Sequence, residues 1–177
     1  MLITTALKEW SVAIDALANG ETMVLLRKGG IKEQQGKFVA QAKQVLLFPT
    51  FEHQQRDLLK PDYQAAVYPV EPGWHPQAIT LKAWADITHI FLTDEADKVT
   101  ALSAFHIWQP QLAQSRLKWK PKQPLYVLAL RVYRLAGPVR VPWQAAYGGC
   151  RSWIELEPGI EVDTEVGSRE KEAAIAT

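Results

Sequence analysis

The sequence predicts an α+β domain, in which a small mixed, mostly antiparallel sheet packs with three to four helices. Residues 45–48 and 125–135 indicate strands, because the first segment and most of the second are apolar on both faces, as in a buried strand. Residues 4–20 and 93–106 indicate helices, because their apolar residues recur at spacings of three and four. Strands and helices therefore share one chain of ordinary domain size.

The predicted helices begin at threonines, which favour the N-cap position. The first helix spans residues 4–20, with Thr4 or Thr5 as its cap. A short second helix spans residues 50–59. The third begins at Thr93 and carries acidic residues in its first turn, where the helix dipole favours them.

Further strands are predicted at residues 23–28 and 152–156, with strand-like pieces between residues 79 and 91. We expect the long strand at 125–135 to pair with the strand at 152–156. Four prolines lie in residues 61–77, which predicts a loop with one helical turn.

Charge is distributed very unevenly along the chain, although the net charge is only +1. Residues 98–154 contain no Asp or Glu but nine cations: Lys98, Arg116, Lys118, Lys120, Lys122, Arg131, Arg134, Arg140 and Arg151. Such a block indicates an anionic partner. We expect one domain over residues 1–157, followed by an acidic, disordered tail over residues 158–177.

Composition excludes several classes of protein. No apolar run approaches the roughly 20 residues that a membrane helix needs, so no membrane association is expected. Cys150 is the single cysteine, which excludes an internal disulfide and a cysteine-rich zinc site. These features favour a cytoplasmic protein.

The first candidate site is an anion-binding turn at the end of the strand 23–28. Arg27, Lys28, Gly29 and Gly30 follow one another there, and Glu33 comes shortly after. A glycine pair allows backbone N–H groups to turn toward a phosphate, and the two cations would reinforce that concavity. The alternative is an ordinary glycine turn with solvated charges.

Three further side chains are candidates for ligand binding. His53 follows the buried strand 45–48, a place where a histidine can face a cleft, and the alternative is a local backbone contact. His106 lies on an apolar stripe and is either a core residue or a pocket residue. Arg151 follows a glycine turn and could bind phosphate or pair with an acidic residue.

The neighbour of Arg151, Cys150, is either a nucleophile or a small buried residue. No two of the four histidines have metal-ligand spacing, so no metal is expected.

The segment 111–124 is predicted as a basic connector. Trp119 lies between Lys118 and Lys120, a pattern that suits a nucleic-acid backbone with an unpaired base stacked on the indole. The alternative is a solvated linker whose tryptophan enters the core. Further nucleic-acid contacts are expected from Arg131 and Arg134, at the cationic end of the long strand.

Five segments carry recognisable motifs: residues 6–10 (ALKEW), 25–33 (LLRKGGIKE), 47–54 (LFPTFEHQ), 106–108 (HIW) and 147–153 (YGGCRSW). Together they resemble a bacterial family, common in cyanobacteria, that is catalogued as domain of unknown function 1802. The resemblance implies no established activity. It implies a link to DNA restriction by association, because related regions occur beside restriction-endonuclease-type domains.

A barrel-like variant of the predicted sheet is left open, by analogy with the pseudouridine-synthase/archaeosine-transglycosylase (PUA) superfamily. In that arrangement Arg27, His53, His106 and Arg151 should converge in one cleft.

Three classes of function remain open at this point. A nucleic-acid (polyanion) binding module is favoured, because it explains the cationic block and the tryptophan between lysines. The first alternative is an enzyme or sensor for a small phosphate or nucleotide ligand, using Arg27, Lys28, His53 and Arg151. The second is a scaffold that docks an acidic protein. The sequence indicates no cofactor.

Overall fold

The computed structural model describes residues 1–28, 39–119 and 121–164 of the chain. Six strands and four α-helices are found there, in the order β1 (Leu2–Trp10), α1 (Ser11–Ala18), β2 (Val24–Arg27), β3 (Gln44–Thr50), α2 (Pro61–Gln64), β4 (Ala78–Thr93), α3 (Ala96–Ala101), α4 (Pro110–Lys118), β5 (Leu125–Pro142) and β6 (Trp153–Glu161). Short 3₁₀ turns occupy Arg56–Leu58, Leu102–Phe105 and Ala145–Tyr147. The predicted α+β class is confirmed.

All six strands form one sheet, in the order β2-β5-β4-β3-β1-β6. The pair β1–β3 is parallel and the other four pairs are antiparallel, so the prediction of a mostly antiparallel sheet is confirmed. Across the part of the chain that the structure describes, no ladder joins β6 back to β2. The barrel-like variant is therefore wrong, and the sheet has two edges.

The predicted helix over residues 4–20 is wrong in its first half. Residues up to Trp10 form β1, and the helix begins only at Ser11. Leu7 and Trp10 fit a helical spacing, but β1 is hydrogen-bonded on both sides, to β3 and β6. Sheet pairing outweighs the local spacing here, since propensity is a weak constraint beside tertiary context.

Two other local predictions also fail. Residues 50–59 do not form a helix: Thr50 ends β3, His53 has a φ of 64°, and only Arg56–Leu58 makes a helical turn. The basic connector over residues 111–124 is largely helical, because α4 occupies Pro110–Lys118. Proline suits the first turn of a helix, since its missing N–H would have no partner there.

The last two strands do not pair as expected. β5 lies between β2 and β4, whereas β6 pairs with β1 at the opposite edge of the sheet. β6 also continues through Glu161, four residues past the expected domain end at 157, and buries Val162 beside it. Residues 165–177 of the expected tail lie outside the described part of the chain.

Buried apolar clusters lie on both faces of the sheet, which explains why β3 is apolar on both sides. One apolar cluster joins α1, α3 and α4 to the sheet face that carries Leu7. The other lies on the face of Ala6 and Phe48, where Tyr147 packs. Neighbouring residues of β1 and β3 thus enter different clusters, as the alternation of side chains along a strand requires. None of the described helices has the length and hydrophobicity needed to cross a membrane.

The close contact between β1 and β6 predicts that Gly159 cannot be enlarged. A Cβ at this residue would lie 2.8 Å from both the carbonyl oxygen of Ile3 and Cγ2 of Thr4. We expect Gly159→Ala to lower the free energy of unfolding by about 1–3 kcal/mol, because the strands would have to separate. Urea denaturation measures this. Gly137→Ala is the matched control, since a Cβ there meets nothing within 4 Å; an equal effect of both substitutions would contradict the prediction.

Candidate functional site

The candidate site is built around Lys8, a lysine on a buried strand. Its side chain lies on the same face of β1 as Ala6 and is only 9% exposed. The ammonium donates hydrogen bonds to the carbonyl oxygens of Tyr147 and Gly149, at 2.6 and 2.9 Å. Gly149 has a φ of 78°, a conformation that glycine adopts without strain and that forms part of this turn.

Lys8 lies at one side of a cavity of about 260 Å³. Most of the lining consists of aromatic residues, prolines and glycines. It comes from four segments: Phe48, Pro49, Thr50 and Phe51 at the end of β3, Gly73 to Pro76 in the following loop, Ile79 on β4, and Trp143 with Tyr147 to Gly149 after β5. Glu52 is the other charged residue of the lining. The cavity therefore combines flat apolar walls with one amine and one carboxylate.

The loop before β4 covers part of this cavity through three contacts. The Gly73 N–H donates to Glu52 Oε1, and Trp74 packs edge-on against Phe51 with ring centroids 5.8 Å apart. His75 stacks on Trp143, with centroids 3.4 Å apart and ring planes 5° from parallel. Trp74 and His75 are both exposed, so they form the rim of the cavity.

The charge of Lys8 is poorly balanced by its surroundings. Burial lowers the pKa of Lys8, and the nearby Arg151 and Arg27 lower it further, while Cys150 and Glu52 oppose that change. An ammonium has three N–H donors, and backbone carbonyls take two of them. Among the described residues no carboxylate lies within ion-pair distance of Lys8. The site is therefore suited to a ligand that brings an oxygen or a negative charge.

A second polar cluster lies on the other face of β1. Glu9 is 5% exposed, and its Oε2 lies 3.4 Å from a guanidinium nitrogen of Arg27. The same guanidinium group donates to the carbonyl oxygen of Lys8. Arg116 donates to the carbonyl oxygen of Leu26 and lies over the ring of Trp108, 5.4 Å from its centroid. These contacts join β2 and α4 to β1 and serve the fold.

His106 belongs to the interior and not to the cavity. It is 3% exposed, and its Nδ1 accepts a hydrogen bond of 3.2 Å from the backbone N–H of Trp108. Burial lowers the pKa of His106 to about 4, and the neighbouring cations Lys60 and Arg116 contribute to that shift. Lys60 in turn donates to the carbonyl oxygen of His106 at 2.6 Å. The imidazole is thus neutral at physiological pH.

The structure does not bring the four predicted ligand-binding side chains together. Of Arg27, His53, His106 and Arg151, none lines the cavity. Arg151 is exposed after the turn, and its charge lowers the pKa of Lys8 more than that of Arg27 does. His53 is exposed on the turn after β3, and Lys28 donates to the carbonyl oxygen of Leu117 at 2.8 Å. Gly29, Gly30, Glu33 and Lys120 lie outside the described residues.

The residues predicted to contact nucleic acid are spread over the surface. Lys118 and Trp119 are exposed at the end of α4, and Arg131 is exposed on β5. Arg134 donates to the carbonyl oxygen of Ala18 and to Asn19, at the end of α1. These side chains do not meet at the cavity.

The residues that sequence reasoning missed are Lys8, Glu52, Trp74, His75 and Trp143. Lys8 and Glu52 lie within the family-like segments 6–10 and 47–54, and this position was the only sequence feature that could have marked them as candidates. Across residues 1–28, 39–119 and 121–164, no three His, Cys, Asp or Glu side chains are grouped to hold a metal ion. Cys150 is exposed beside the turn, so its interpretation as a small buried residue is wrong.

The sequence of this chain matches one known family over most of its length. The model of the family described as "Domain of unknown function (DUF1802)" matches residues 6–170. The chain belongs to the DUF1802 family. No curated protein matches it.

Solved structures extend the comparison to the fold of this DUF1802 domain. A crystal structure of one mutant of the ZmASCH protein from Zymomonas mobilis is similar, with a TM-score of 0.51 at 9% identity, over 86% of this chain and 87% of that one. A second ZmASCH mutant gives a TM-score of 0.49 at 12% identity, over 86% and 88%. The first likeness shows that the DUF1802 domain shares its fold with an ASCH protein.

The buried pair Glu9–Arg27 generates a stability prediction for the DUF1802 domain. Arg27→Ala would leave the Glu9 carboxylate buried without its partner. We expect the free energy of unfolding to fall by about 3–5 kcal/mol in urea denaturation. Lys82→Ala is the matched control, because it breaks the half-exposed Lys82–Asp15 pair and should cost about 1 kcal/mol or less. Similar losses from the two substitutions would show that Glu9 does not depend on Arg27.

The buried His106 generates a prediction of pH dependence. An unfolded histidine has a pKa of about 6.5, whereas the folded value is about 4. Between these values the unfolded chain binds a proton that the native chain does not, so stability falls as the pH falls through this window. The loss contributed by His106 at its lower end is on the order of 3 kcal/mol.

His106→Asn should remove this part of the acid destabilisation, since an asparagine oxygen can still accept from the Trp108 N–H. The measurement is urea denaturation at intervals from about pH 7.5 to about pH 4.5. His89→Asn, at an exposed position of β4, is the control for losing an imidazole. An unchanged pH slope in His106→Asn would refute the assignment.

Proposed function

We propose that the DUF1802 domain binds single-stranded nucleic acid, with an unpaired base at the aromatic cavity and a neighbouring phosphate at Lys8 and Arg151. The observation that carries the proposal is the pairing of flat aromatic walls with an ammonium that has no carboxylate of the described residues within ion-pair distance. Base stacking on aromatic side chains beside a cationic track is the usual way in which proteins hold single strands.

The size of the cavity supports a polymer and not a whole small ligand. Pockets that enclose a complete ligand usually measure about 300–1,000 Å³, and this cavity measures about 260 Å³. It has room for a single group such as a base, while the rest of the ligand stays outside. An exposed rim of Trp74 and His75 suits a chain that continues across the surface.

The cationic block of the sequence contributes directly to the site. Trp143, Tyr147, Gly148 and Gly149 form one wall of the cavity, and all four lie within the acid-free residues 98–154. Arg151 follows that wall and is exposed. A phosphate near Lys8 would therefore meet a second cation and no acid from this segment.

The small-ligand enzyme or sensor is less well supported in the form in which the sequence suggested it. Arg27 is paired with Glu9, Lys28 is bonded to a backbone carbonyl, and His53 does not line the cavity. What remains of that alternative is a free nucleotide at the Lys8 cavity. A scaffold for acidic proteins would use the exposed cations without the aromatic walls.

The test is a binding titration of the full chain with a short, fluorescently labelled single-stranded oligonucleotide over a range of salt concentrations. We expect affinity to fall with salt, with a log–log slope of about −0.7 for each phosphate contacted. Lys8→Met should weaken binding by roughly tenfold or more, because a hydrogen bond to a charged group contributes about 1.5–3 kcal/mol. Lys82→Met is the control, since Lys82 is exposed on β4 and does not line the cavity.

Two outcomes would overturn the proposal. One is salt-dependent binding that Lys8→Met and Lys82→Met weaken equally, which would place the nucleic acid elsewhere on the surface. The other is a mononucleotide that binds as tightly as the oligonucleotide, which would identify a small-ligand site. Thermal unfolding of each variant confirms that it is folded before its affinity is compared.

A further inference from the structure

The contact between His75 and Trp143 differs from the other ring contacts at the cavity. Its planes are 5° from parallel and its centroids are 3.4 Å apart, which is full face-to-face overlap. The pairs Phe51–Trp74 and Phe48–Tyr147 meet edge-on, at 88° and 67°. Two stacked flat rings are the arrangement that a nucleobase makes with an indole. His75 thus covers the face of Trp143 that a base would need.

The two rings of this stack are held very differently. Trp143 is half-buried and packs against the apolar cluster on the Ala6 face of the sheet, and its backbone N–H donates to the carbonyl oxygen of Gln77 at 2.9 Å. His75 is exposed, as are Glu71 to Trp74 before it. A loop with so little buried apolar surface can leave its position at low free-energy cost. The indole of Trp143 is therefore held in place by packing, whereas the imidazole of His75 can be displaced.

We infer that His75 occupies the stacking place of the nucleobase on Trp143, and that binding of a base displaces it together with the loop before β4. This inference rests on the proposed function and adds two elements to it. The ligand must bring a planar heteroaromatic ring, because phosphate or sugar alone cannot replace the imidazole on the indole. The loop is also an autoinhibitory cover, which keeps the platform occupied until a base competes for it.

The inference predicts effects of opposite sign for the two rings. His75→Ala removes the competitor, so a labelled oligoadenylate should bind about two- to tenfold more tightly, the fold-change that corresponds to one aromatic pair. Trp143→Ala removes the platform and should weaken binding about fivefold or more. His89→Ala is the matched control, because His89 also stacks on a ring, that of Phe91, but does not line the cavity.

The same titration separates this inference from the proposed function. If neither the unchanged chain nor His75→Ala binds the oligonucleotide in a salt-dependent manner, the proposed function itself fails. If the unchanged chain binds and Lys8→Met weakens that binding, but His75→Ala is equal or weaker, only the displacement of His75 is overturned. Trp143→Phe is a second variant that keeps an aromatic ring at this position, in case Trp143→Ala does not fold. It should bind the oligonucleotide more tightly than Trp143→Ala does.

A second readout follows the imidazole directly. In the free protein the ring protons of His75 lie over the indole and should resonate upfield, and the signal is assigned by its loss in His75→Ala. Adding oligoadenylate should move it toward the position of an unstacked histidine. An oligonucleotide of abasic sites, or inorganic polyphosphate, should leave it in place. Movement with either of these ring-free probes, or no movement with oligoadenylate, would overturn the inference.

Discussion

The buried interaction of Arg27 with β1 is the contact on which the rest of the structure depends. Arg27 lies at the end of β2, one edge of the sheet, while β1 lies next to the other edge. Its guanidinium reaches both the carboxylate of Glu9 and the carbonyl oxygen of Lys8. Among the described residues no backbone pairing closes the sheet, so this side chain links the β2 edge to the strand next to the opposite edge.

Two consecutive residues of β1 have different roles: Glu9 stabilises the fold, and Lys8 contributes to the candidate site. Lys8 and Glu9 point to opposite faces of the strand, because side chains alternate. Glu9 enters the face that packs against the helices, and Lys8 enters the face that carries the cavity. A shift of one residue in the pairing of β1 with β3 would exchange the two charges, leaving each buried among the wrong partners. The register Lys8↔Phe48 is therefore a requirement of the site as much as of the fold.

The sequence revealed those parts of the fold that depend on local pattern. β3 and the first part of β5 were found because apolar residues fill both of their faces, as in a buried strand, and β2 was found because both of its faces begin apolar. β1 was missed because Leu7 and Trp10 satisfy a helical spacing, and its true partners, β3 and β6, begin at Gln44 and Trp153. Such pairings are set by contacts between distant segments, and a single sequence does not record them. α4 was missed for a different reason: of its residues only Leu112 and Ala113 are buried, so it carries almost no apolar stripe.

The candidate site was predicted even less completely, and the cationic block explains why. Lys98 is bonded to Glu95, Arg116 to a carbonyl of β2, and Arg134 to the end of α1. Cations near a helix C-terminus complement its dipole, so part of this charge stabilises the fold. The segment matters to the cavity mainly through its uncharged residues, Trp143 and the turn from Tyr147 to Gly149, whose carbonyls position Lys8. A lone lysine in a strand gives no sign of such a role, because its significance comes from a turn some 140 residues away.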